Sequence, residues 1–192
     1  MIERAVAGLD ATELGRPIYL PLGFRDLYEI ARWHFDEVTG AAISPPAGIS
    51  LRPLTPADLA RLALYDRPLT GMERPAILAH LALRQPGRAW IAEDAARKIV
   101  GFVLGREGRK ATSLGPVVAD NEAIALALIA KAAASAPGPF IVDVPVAHRV
   151  VRTWLEAQGA TTPRGYTRMT LGEAKGLDDP SHVFALAGPE LG

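Results

Sequence analysis

Residues 114–129 read LGPVVADNEAIALALI, an apolar run of strand length that turns directly into an amphipathic helix. No other stretch restricts the fold as much. A strand feeding a helix belongs to a layered α/β arrangement, and the helix start is a natural place for phosphates, because the first-turn amides are unpaired and the dipole is positive there. The turn itself holds Ala119, Asp120, Asn121 and Glu122, where a phosphate loop normally carries glycines. It is an anion site, a worn copy of one, or a fold element alone.

The pattern on either side extends the α/β reading. Residues 24–35, FRDLYEIARWHF, alternate so that Ala31, Trp33 and Phe35 share a face, as a strand requires. The preceding ATELGRPIYLPLG predicts a short helix capped by Gly23, although Pro17 and Pro21 weaken it. Residues 37–47 are small and Pro-containing, which predicts a linker. Beyond them ISLRPL predicts a strand, and Thr55-Pro56 marks a helix start. A second helix is expected near residues 73–84, then RAWIAED and KIVGFVLGRE as a hairpin turning at 95–97. ATSLGPVVA, PFIVDVP, YTRMTL and HVFALAG predict further strands, with helices at NEAIALALIAKAAA and HRVVRTWLEAQ. From Gly48 the expected order is β-α-α-β-β-β-α-β-α-β-β, a mixed sheet with an antiparallel middle and a later parallel crossing. An internal echo is also present: VAGLDATELGRPIYLPLGF and FIVDVPVAHRVVRTWLEAQGA each read strand, Asp, helix, Gly, and each leads into a strand.

Composition removes several functions. The 192 residues carry no net charge at pH 7, which argues against nucleic-acid or anionic-membrane partners. The absence of cysteine excludes disulfides, thiolate nucleophiles and Cys-rich zinc sites, and fits a cytoplasmic protein. No apolar run approaches the ~20 residues that span a bilayer. His34, His80, His148 and His182 form no ligand pair, so no metal site is expected. Walker-A, G-x-G-x-x-G and G-x-S-x-G motifs are all missing.

The phrase LDATELGRPIYLPLGF at residues 9–24, with GRKATSLGPVVA and the order of elements, resembles the GNAT N-acetyltransferase superfamily. The chain looks most like the divergent second GNAT-like domain of bacterial two-domain members. Residues 1–36 then correspond to a remnant of a first domain, 37–47 to a linker and 48–192 to a whole GNAT-like domain. The resemblance implies a GNAT-like α/β fold, a mixed central sheet with helices on both faces, and transfer of acetyl from acetyl-CoA to a small-molecule or peptide amine. In that superfamily acetyl-CoA binds where two parallel strands splay, its pyrophosphate on a glycine-containing loop at a helix start. The corresponding positions are Pro116, Val117, Val118, Asp120 and Asn121. The turn departs from the family loop: glycines are gone, and Asp120 and Glu122 would repel a pyrophosphate while Asp120 or Asn121 caps the helix.

The family's usual general acid is a tyrosine shortly before Gly-Phe, a place taken by Tyr19 in the first copy and by Trp154 and Leu155 in the second. Tyr19 is a catalytic candidate or a packed aromatic. Asp143 and His148 are candidates to bind or deprotonate an amine, and equally a loop cap and a solvated helix-start residue. Little or no activity is expected of these 192 residues alone. The alternative is a non-catalytic GNAT-like domain serving substrate binding, regulation or oligomer contact. The strand at 24–35 must pair within its own chain or with a twin, which gives a possible homodimer through the N-terminal strand.

Overall fold

A computed structural model describes residues 6–172 and 179–189. Its elements are β1 (Ala7–Ala11), α1 (Arg16–Tyr19), β2 (Arg25–Phe35), β3 (Ser50–Pro53), α2 (Leu59–Thr70), α3 (Pro75–Arg84), β4 (Trp90–Glu93), β5 (Ile99–Glu107), β6 (Thr112–Ala119), α4 (Glu122–Ala134), β7 (Phe140–Pro145), α5 (Arg149–Ala157), β8 (Thr161–Leu171) and β9 (Val183–Ala185). From residue 48 onward this is the order expected from the sequence. One sheet carries the fold, in the order β1-β8-β2-β7-β6-β5-β4-β3, with β9 paired to β6 off that path.

Local chemistry sets the boundaries. Thr55 and Asp58 form a reciprocal capping box ahead of α2. That helix stops at Gly71, which takes the left-handed conformation at φ 67°. The β4–β5 hairpin turns through Arg97, also left-handed at φ 62°, while the Asp94 side chain accepts from the amides of Ala96 and Lys98. Alternating apolar residues then fill two cores, one on each face of the sheet. Trp33, Phe35, Val103, Phe140, Val142 and Leu155 meet α4 and α5 on one side. Leu62, Leu78, Leu81, Ile91, Phe102 and Tyr166 meet α2 and α3 on the other. α4 differs from the amphipathic helix expected: it is buried on most of its circumference, with Arg88 donating to the Ala132 carbonyl near its end.

β1 and β2, expected in the remnant of a first domain, pair into this same sheet. β2 lies between β7 and β8 and pairs antiparallel with both, with β8 along most of its length and with β7 over Ile30–Phe35. The internal echo is visible in the geometry. The units β1-α1-β2 and β7-α5-β8 interleave as β1-β8-β2-β7, every pairing antiparallel, about a local two-fold at the β2–β8 contact. Arg168 on β8 grips Asp10 on β1 through Nε and Nη2 at 2.8 and 2.9 Å. Arg32 on β2 grips Asp143 on β7 through the same atoms at 2.7 and 2.6 Å. Gly23 and Gly159 stand at the same separation ahead of Arg32 and Arg168, and both adopt positive φ, 91° and 72°. Among the described residues no helix is long and apolar enough to cross a membrane.

Candidate functional site

The parallel strands β6 and β7 pair only at Thr112↔Phe140 and Ser113↔Ile141. Beyond that point they diverge, and the V between them opens toward the start of α4. β9 occupies that V. It runs antiparallel to β6 in the register Val117↔Ala185 and Val118↔Val183. The Ala119 amide donates to the His182 carbonyl at 3.0 Å, and the Leu186 amide donates across to the Asp143 carbonyl on β7 at 3.0 Å. Residues 183–187 are all at most 3% exposed. The fit is tight enough to require glycine at position 115, where a Cβ would lie 1.9 Å from the Leu186 carbonyl oxygen.

His148, at the start of α5, clamps the inserted strand. Its Nε2 lies 2.9 Å from the Val183 carbonyl, which can only accept, so Nε2 carries the proton. The ring packs on Phe184 with centroids 4.2 Å apart. Burial pushes the imidazole below its ordinary pKa of 6.5, partly offset by that carbonyl and by Glu122. A buried neutral imidazole fits holding a backbone carbonyl better than collecting a proton from an amine.

The helix start beside the V is satisfied from within. Asn121 Oδ1 accepts from the Ile124 amide at 3.0 Å and caps α4. Asp120 Oδ1 accepts from the Tyr65 hydroxyl at 2.8 Å, and burial followed by that carboxylate drives the phenol's pKa upward. Glu122 reaches away to α5, where its Oε1 accepts from the amides of Val150 and Val151 at 2.7 and 3.0 Å. One carboxylate thus neutralises the first turn of the neighbouring helix.

Each of the sequence-predicted catalytic residues has a partner of its own. Asp143 is committed to Arg32, whose guanidinium lies 5.0 Å over the Tyr166 ring. His148 is committed to β9 rather than to Asp143. Tyr19 lies half-buried on α1 with its ring edge-on to Phe24 at 5.6 Å. Its helix joins β1 to β2, which are separated in the sheet by β8. Of the expected cofactor positions, Pro116, Val117 and Val118 line the β9 side of β6, while Asp120 and Asn121 make the cap just described. The β9 insertion, the Arg32 grip and the Glu122 bridge went unread in the sequence, since each joins segments far apart along the chain. Among the described residues no cluster of His, Asp and Glu could hold a metal ion.

The family described as an acetyltransferase (GNAT) domain matches residues 62–185. The chain belongs to the GNAT acetyltransferase family. Its fold is also that of solved GNAT structures. A protein described as an acetyltransferase from Pyrococcus horikoshii is 21% identical, with a TM-score of 0.69 over 95% of this chain and 58% of its own. A GCN5-related N-acetyltransferase from Sphaerobacter thermophilus is 18% identical, with a TM-score of 0.64 over 87% of this chain and 59% of its own. This chain therefore spans less than two thirds of the length of either relative. No curated protein matches it in sequence.

GNAT proteins generally use acetyl-CoA, and the family's cofactor place corresponds here to the V between β6 and β7. The residues present do not fit it. The β6 edge facing the V is hydrogen-bonded to β9, and the α4 start carries its own cap with carboxylates on either side. A pantetheine arm and a pyrophosphate would have to displace both.

Proposed function

We propose that this chain is a GNAT-fold module that does not itself transfer acetyl groups and that supports an acetyltransferase through its surface and sheet. The observation that carries this reading is β9, seated in the V with both neighbouring strands bonded to it. A second reading, acetyl transfer from acetyl-CoA to a small-molecule or peptide amine by this chain, is favoured by membership of the family. It requires β9 to withdraw from the V and leaves the general acid unassigned.

Thermal unfolding with millimolar acetyl-CoA separates the two. A ligand at one hundred times its dissociation constant adds about 2.7 kcal/mol, or roughly 5–10 °C of Tm for a chain of this size. The supporting-module reading expects no shift and no thiol release with polyamine, amino-sugar and peptide-amine acceptors. A shift of that size, or acceptor-dependent thiol release, overturns it in favour of the second reading.

A further inference from the structure

β1 ends the sheet. Its only partner among the described residues is β8, and no described strand pairs with its outer edge. The turn behind it is apolar and bare: Leu14 is 89% exposed, Ile18 66% and Leu22 63%, and neither α1 nor the short helical turn after it buries a residue. Such an edge beside exposed leucines is an uncommon combination on a free surface.

The local two-fold identifies what such a surface lacks. β1 stands to α1 and β2 as β7 stands to α5 and β8, with Asp10 and Asp143 at matching positions. On the β7 side, β6 lies parallel to β7, and α4, which follows it, covers α5. Val151, Trp154 and Leu155 are buried there, and Glu122 binds the first amides of α5. On the β1 side the strand and helix that would play these parts are not among the described residues. We infer that the β1 edge and the Leu14, Ile18 and Leu22 face form a docking surface for a further α/β unit of this same fold. That unit lays a strand parallel to β1 and its following apolar helix over α1. Two solved relatives, of which this chain spans 58% and 59%, have room for such a unit. The surface does not depend on whether this chain binds acetyl-CoA.

The two-fold also fixes a probe. A second copy of residues 48–139 joined directly ahead of residue 7 reproduces the α4-to-β7 connection at β1. Hydrogen exchange of the β1 amides is then expected to slow by roughly tenfold or more relative to the 192-residue chain, with loss of hydrophobic-dye binding. Unchanged β1 exchange in the fusion overturns the inference. So does a 192-residue chain that is already dimeric by light scattering with β1 protected, since the occupant is then a second copy. Independently, Leu14→Glu with Leu22→Glu in the 192-residue chain is expected to abolish dye binding without lowering Tm. A fall in Tm of several degrees would mean that these leucines belong to the chain's own core, and would equally overturn it.

Discussion

Replacing Gly115 by alanine tests the insertion of β9 at its tightest point. The added Cβ falls 1.9 Å from the Leu186 carbonyl oxygen, with the Leu186 carbon at 2.9 Å. Ordinary contact is 3.4–4 Å, so the segment behind β9 must retreat by more than an ångström. The obstacle is backbone rather than a flexible side-chain tip. Overpacking of this kind costs about 1–3 kcal/mol. The cost has a ceiling, because β9 can leave instead. Its departure exposes Val183, Phe184 and Leu186, each worth about 1.5–3 kcal/mol of burial, against about 1–2 kcal/mol of backbone entropy regained per freed residue. Over residues 183–187 the two nearly cancel, so the overpacking figure of about 1–3 kcal/mol is the most the substitution costs, and Gly115→Ala is expected to lower Tm by roughly 2–4 °C for each kcal/mol lost. Exchange should accelerate at the Ala119 and Leu186 amides, which bond across β9. Acetyl-CoA should still not bind, because the Asn121 cap and the neighbouring carboxylates are untouched. Unchanged Tm with those amides still slow would refute the reasoning, since Leu186 could not then lie over Gly115.

His148 titrates higher in the unfolded chain than when buried, so the stability tied to it is complete above its ordinary pKa of 6.5 and lost as pH falls below that value. Urea midpoints from pH 8 to 5 should show the decline; His148→Gln, which can still donate to Val183, should reduce it, leaving the share of His34, which burial also lowers. Asp10→Asn and Asp143→Asn should each cost about 2–4 kcal/mol by urea denaturation, in similar amounts, because each leaves a two-pronged arginine without its counter-charge; a severalfold disparity would deny the equivalence of the two units. Glu122→Ala should cost about 1 kcal/mol and accelerate exchange at Val150 and Val151 while leaving the Asn121 cap of α4 in place.

What the sequence disclosed, it disclosed through short-range chemistry. Thr55 with Pro56, the polar turn at 95–97 and the alternation of Ala31, Trp33 and Phe35 each act within a few residues, and each appears where expected. The glycine-free turn at 119–122 was readable as a self-capped helix start for the same reason. Glu122 was not readable as a cap for α5, because its partners lie 28 and 29 residues away and on another helix. Asp143 and His148 look like a pair along the chain, but Arg32 claims the first and β9 the second. HVFALAG reads as one more strand. Only the divergence of β6 and β7, which no local pattern encodes, gives it a slot to fill.

The placement of β2 between β7 and β8 has a consequence during synthesis. Arg32 waits for Asp143, 111 residues later, before either charge is matched. At about 5–20 residues per second, that interval is roughly 6–22 s on the ribosome. Throughout it β2, with Ile30, Trp33 and Phe35 along its length, has neither of its final neighbours. The middle of the sheet is therefore among the last parts of the molecule that translation can complete, and the nascent chain must keep an apolar strand out of other company until then.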